Sequence, residues 1–143
     1  MLSNKFEERV FEFLKPFYEL KFCDNFPYIK YLGRLERTQR NTLFTDVPTN
    51  KGNYTEFVFA NSKYSIRIEC KFQKNKGNIQ RNSILGNLHD IVPNIPEKEM
   101  IFILNGDGFN LNQIEKLKNK LPMNTKLFFF DEFKKYFTKL MEG

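Results

Sequence analysis

Apolar residues recur along this chain with two different periods, and the changes of period divide it into elements. Phe6, Val10, Phe13 and Phe17 follow the i, i+4, i+7, i+11 spacing of a helical stripe, widened by Leu14, so residues 3–19 are expected to be helical. Ser3 stands where an N-cap is wanted, and Pro16 is expected to end or kink the helix near its last turn. Aromatic and β-branched residues dominate 26–32, which reads as a short strand. Residues 55–60 and 64–73 then flank the turn Asn61-Ser62-Lys63 as a β-hairpin. In its second arm the period is two: Tyr64, Ile66, Ile68, Cys70 and Phe72 alternate with Arg67, Glu69, Lys71 and Gln73.

Helical spacing returns at Ile84, Leu88 and Ile91, giving a helix over 78–91 that Pro93 and Pro96 close. The continuous apolar run 100–104 reads as a buried strand, and Asn105-Gly106-Asp107-Gly108 turns the chain after it. Leu111, Ile114, Leu117 and Leu121 define another helix, and 126–130 the last strand. Asp131 is the expected N-cap of a final helix that turns Phe133, Phe137 and Leu140 inward. This order predicts an α/β fold, a mixed central sheet flanked by helices, as a single domain over residues 1–143.

Composition narrows the class. Hydrophobic residues make up 41% of the 143, with 17 phenylalanines, so a packed core is expected rather than disorder. No apolar run approaches the roughly 20 residues of a membrane span. The N-terminal segment is amphipathic and Glu-containing, without a secretory pattern, so a cytoplasmic protein with no membrane partner is expected. Cys23 and Cys70 have no metal-ligand spacing and suggest no disulfide scaffold. Lys and Arg total 23 against 17 acids, a net charge of +6 that suits a polyanionic partner. Most of these cations are lysines in a chain also rich in Asn, Phe and Ile, which AT-rich coding favours together, so charge alone speaks weakly for nucleic acid.

The chemistry concentrates on the polar side of 64–73. Glu69 and Lys71, two apart on one strand, point the same way and set a carboxylate beside a cation. Exposed strands often carry such pairs as solvated ion pairs, so the upstream acids matter. Glu56 lies on the preceding arm of the hairpin and Glu7 on the first helix, where the helix dipole alone would also favour an acid. Two carboxylates and a backbone carbonyl such as that of Cys70 could hold Mg²⁺, which takes oxygen ligands and keeps several waters. Lys71 would then orient water or stabilise transition-state charge, and Gln73 could hold the water or a phosphate oxygen. Arg34, Arg37 and Arg40 crowd one polar stretch and, with Lys74 and Lys76, could track a phosphate backbone. His89 has no neighbouring nucleophile, and Gly106-Asp107-Gly108 lacks the rest of a phosphate-loop signature, so it reads as a turn.

Glu69-Cys70-Lys71 at the end of an alternating strand, Glu56 on the strand before it, and Phe6-Glu7-x-x-Val10 on the first helix together resemble the PD-(D/E)xK nuclease superfamily. The likeness spans the first helix to the last strand and implies a restriction-endonuclease-like core, similar to that of Holliday-junction resolvases. One departure stands out: no Pro-Asp pair precedes the Glu-x-Lys strand, so the second-motif acid is Glu56 or, in turn chemistry, Asp46. The resemblance implies an Mg²⁺-dependent endonuclease, with Mn²⁺ as a substitute, that hydrolyses DNA phosphodiesters by a metal-activated water. Glu56, Glu69 and the Cys70 carbonyl would be its metal ligands, and Glu7, Glu56, Glu69, Lys71 and Gln73 its catalytic set. It also implies a homodimer or a targeting partner. The alternative is a non-catalytic DNA-binding or protein-interaction module on the same fold.

Overall fold

The computed structural model describes residues 3–21, 27–31, 57–61, 63–95 and 97–143. The elements run α1 (Ser3–Lys21), β1 (Pro27–Tyr31), β2 (Phe57–Asn61), β3 (Ser65–Phe72), α2 (Ile79–Asp90), β4 (Glu99–Asn105), α3 (Leu111–Lys118), β5 (Thr125–Phe129) and α4 (Phe130–Glu142). A short 3₁₀ turn spans Val92–Asn94. The strands form one sheet in the order β1-β2-β3-β4-β5. β1, β2 and β3 are antiparallel neighbours, with Phe57 opposite Ile68 and Phe59 opposite Ile66. β3, β4 and β5 are parallel, with Glu69 opposite Phe102 and Lys71 opposite Leu104. The α/β reading with a mixed sheet flanked by helices therefore holds.

Both faces of the sheet are covered, which explains why β4 is apolar without interruption. Ile101 and Ile103 enter a core with Ile66, Ile68, Phe57 and Phe59 beneath α1 and α4. Met100, Phe102 and Leu104 enter a second core with Ile84 of α2, Ile114 and Leu117 of α3, and Leu127. Phenylalanines interlock α1 and α4: Phe17 lies edge-on to Phe137 at 5.0 Å between ring centroids, and Phe6 to Phe130 at 5.5 Å. Such edge-to-face pairs contribute about 0.5–1.5 kcal/mol each beyond their burial.

Two helix details differ from expectation. Pro16 does not end α1, which continues to Lys21. The carbonyl that Pro16 deprives of a donor belongs to Glu12, and both residues are on the exposed side, open to water. Asp131 is not the N-cap of α4. β5 passes into α4 without a loop, Phe129 holds the cap position, and Glu132 Oε1 accepts the Phe129 N–H at 3.2 Å. Asp131 instead meets Lys134 at 3.2 Å. Among the described residues no helix is long and apolar enough to cross a membrane.

Candidate active site

Alternation along β3 sends Arg67, Glu69 and Lys71 to the face covered by α2, and Gln73 follows just past the strand end. This face is not a solvated one. Arg67 is 0% exposed, Glu69 7% and Gln73 8%, so each polar head needs a protein partner. At the start of the strand Arg67 Nε donates to Glu97 Oε1 at 2.6 Å in a buried ion pair. Toward the other end burial relaxes. Lys71 is half-buried, and its Nζ donates to Ser83 Oγ of α2 at 2.8 Å. Glu69 lies between these two cations, about 7 Å along the strand from each.

Gln73 is spent on backbone. Its two Nε2 hydrogens are shared among the carbonyls of Asn75 (3.0 Å), Gly77 (2.8 Å) and Gly108 (2.8 Å), and Oε1 accepts the Gln80 N–H at 3.0 Å. This one amide ties the end of β3 to the following turn, to the start of α2 and to the turn after β4. It braces the site where a water- or phosphate-holding role was expected. The Gly-Asp-Gly turn is the other half of the brace. Gly106 has φ +108°, and a Cβ there would lie 2.2 Å from Gln73 O; at Gly108 it would lie 2.3 Å from Asn75 O. Gly108→Ala should therefore cost about 1–3 kcal/mol in urea unfolding. Gly86→Ala, in mid-α2 with open space around it, should stabilise by up to about 1 kcal/mol. Equal effects at the two positions would contradict the close approach.

Backbone direction also follows from this turn. Gln73 N–H donates to Asn105 O, and Gly108 N–H to Gln73 O, so the peptide groups of Gln73 face β4. Successive residues of a strand turn their hydrogen-bonding groups to opposite sides. Lys71 and Glu69 therefore bond toward β4, and the Cys70 carbonyl faces the β2 side. It lies beyond Phe57–Ile68, the last β2–β3 pair among the described residues.

Glu7 arrives from the other layer. It lies on the inner side of α1 between Phe6 and Val10, 4% exposed, over the face opposite Lys71. Glu7 and Glu69 each keep an electrostatic or hydrogen-bonding partner, as buried carboxylates must. Lys74 and Lys76 are exposed in the turn between β3 and α2. Glu56, Asp46, Arg34, Arg37 and Arg40 lie outside the described residues. His89 is an exposed residue against Asp90. At the far end of the sheet, burial and then the charges of Glu99 and Tyr64 raise the phenol pKa of Tyr136 above its usual value.

Sequence reasoning missed Ser83 and Glu97. Ser83 lies one helical turn past the polar start of α2. Glu97, in Pro96-Glu97-Lys98-Glu99, looks like one more acid of a polar connection. Only the apolar neighbours of Arg67 hinted that a buried counter-charge was needed.

Among the described residues no group of three or more His, Cys, Asp or Glu side chains is gathered to hold a metal ion. The donors that β3 offers, a buried carboxylate and an adjacent carbonyl, are hard oxygens of the kind Mg²⁺ takes. Comparison with known families finds that the PD-(D/E)XK nuclease superfamily domain matches residues 7–138. No curated protein and no solved structure matches the chain.

Proposed function

The chain belongs to the PD-(D/E)XK nuclease superfamily, and from that premise we propose that it is an Mg²⁺-dependent endonuclease hydrolysing DNA phosphodiester bonds. The observation that carries the reading is the half-buried Lys71 ammonium, held by Ser83 beside the buried Glu69 carboxylate. The Glu69 carboxylate and the Cys70 carbonyl, with Glu56, would hold the ion, and Mn²⁺ would serve in its place. Glu56 is preferred to Asp46 because Glu56 and Glu69 are the chain neighbours of a bonded pair, Phe57 and Ile68. A bound ion would polarise the phosphoryl oxygen and make a water acidic enough to attack. Lys71 orients that water and stabilises charge as the phosphorus becomes pentacovalent. Glu7, which lies over the opposite face of the sheet, would reach the ion's water shell only around the end of β3, and Gln73 acts by positioning the strand end. Arg34, Arg37, Arg40, Lys74 and Lys76 follow the phosphate backbone, and a second copy or a targeting partner would supply a second cut or a destination.

Metal-dependent cleavage tests this reading. Duplex, single-stranded and branched DNA are incubated with the full chain in Mg²⁺, Mn²⁺ or EDTA, with Glu69→Ala alongside and folding checked by circular dichroism. Cutting in either metal, lost in EDTA and in a folded Glu69→Ala, is the expected result. A folded wild type that cuts nothing in either metal sinks the enzyme reading in favour of a binding or interaction module. Ser83→Ala should lower turnover about tenfold with little change in KM, since a hydrogen bond to a charged group contributes about 1.5–3 kcal/mol. An unchanged rate would show that Lys71 needs no such anchor.

A further inference from the structure

We propose that the groove between the starts of α2 and α3 holds one or two nucleotides of an unpaired nucleic-acid strand just beyond the end of the strand that carries Glu69 and Lys71. The inference rests on the nuclease reading and specifies the form of its substrate. The groove has a volume of about 570 Å³, within the range of sites that take a small organic ligand. Its walls include Lys76 and Asn78 on one side and Asn110, Leu111 and Asn112 on the other. Gly77 and Gly108 also line it, and their carbonyls accept from the Gln73 amide, so it adjoins the end of the proposed active strand.

Charge favours a polyanion. Lys76 lines the groove, Lys74 precedes it, the chain carries a net +6, and no acid lines the groove among the described residues. The other wall groups suit a base better than a phosphate. Three asparagines line the walls. Asn110 Oδ1 already accepts the Gln113 N–H at 3.1 Å, so it is the amides of Asn78 and Asn112 that offer donors and an acceptor on one plane, matching the edge of an unstacked base. Two aliphatic side chains flank them: Leu111 is 65% exposed, and Ile79, next to Asn78, is 78% exposed. An apolar group gains nothing from a phosphate but covers the face of a splayed base. A duplex, whose bases stay stacked and paired, would reach only the lysines.

Binding of a fluorescein-labelled single-stranded oligonucleotide and of the same sequence as a blunt duplex, followed by anisotropy in EDTA, tests the proposal. The full chain is compared with the double variant Asn78→Asp/Asn112→Asp. Aspartate suits the cap and first turn of a helix, so the variant should fold with an unchanged or higher Tm. The expected result is tighter binding of the single strand than of the duplex, with a loss of about tenfold or more in the variant on the single strand and a smaller loss on the duplex, whose phosphates feel only the two added charges. A wild type that prefers duplex, or a folded variant that binds the single strand as well as wild type, overturns the proposal. If that wild type also cuts DNA in Mg²⁺, the nuclease reading survives and this inference alone fails. A wild type that neither binds nor cuts any nucleic acid overturns both.

Discussion

Lys71→Met should lower the rate of DNA cleavage by about 10²–10³-fold or more while leaving the fold intact. Methionine keeps the length and packing of the lysine stem and removes only the charged head, which the structure holds against Ser83 Oγ. The site is half-buried, so water screens the ammonium incompletely, and its loss is felt most where the phosphorus gathers negative charge. Ser83 is left with a hydroxyl that can turn to water, so little stability is at stake. Lys71→Arg should rescue poorly, because a planar fork on a longer stem does not reproduce a compact ammonium at that point. Single-turnover rates at saturating Mg²⁺, with DNA binding measured in parallel, give the answer. A folded Lys71→Met enzyme within tenfold of wild type, beside an inactive Glu69→Ala, would leave the metal ligands in place and remove Lys71 from the chemistry.

The largest effect on stability is expected at Glu97. Its carboxylate and the Arg67 guanidinium meet at 2.6 Å with side chains 8% and 0% exposed. Glu97→Ala leaves a buried cation short of its counter-charge, at a cost of about 3–5 kcal/mol. Against a usual domain stability of about 5–15 kcal/mol that is a large fraction, readable as a lowered urea midpoint with an unchanged slope. Arg67→Met/Glu97→Met removes both charges and should lie closer to wild type than either single change, though Arg67 has further contacts that the double variant also gives up. A cost below about 1 kcal/mol for Glu97→Ala would mean that Arg67 is satisfied elsewhere. The pair would then be incidental to the fold.

Periodicity was enough for the layers. The 3.6-residue stripe of α1 and the unbroken apolar run of β4 each reflect how many of their faces are buried, and that is a local signal; the strict alternation of β3 marks a strand but not that both its faces are covered. What periodicity could not distinguish is a polar face turned to water from one turned to a helix. Arg67, Glu69 and Gln73 read alike in both cases; only the packing of α2 makes one a sealed ion pair, one a buried carboxylate and one a backbone brace. Ser83 and Glu97 were invisible for the same reason, since their partners lie 12 and 30 residues away. Pro16 and Asp131 misled because propensity rules count residues and not surroundings. An exposed carbonyl tolerates the proline, and a strand that runs straight into a helix moves the cap back to Phe129.

Glu69-Cys70-Lys71 was legible only as a pattern in the right order of elements. The acid that would complete it comes from a part of the chain outside the described residues.

The position of β3 also carries a consequence for the route to the folded state. One of its neighbours, β2, ends only a few residues before it along the chain and can zip to it within microseconds. The other, β4, arrives only after α2 has crossed over, a far slower closure. Until then the hairpin offers an open edge, the kind of surface on which other chains nucleate aggregates. Charged side chains along that strand are a known safeguard, and Arg67, Glu69 and Lys71 supply it. The charges that the finished protein encloses are thus expected to keep its half-built sheet in solution, and replacing them with apolar residues should lower refolding yield before it lowers stability.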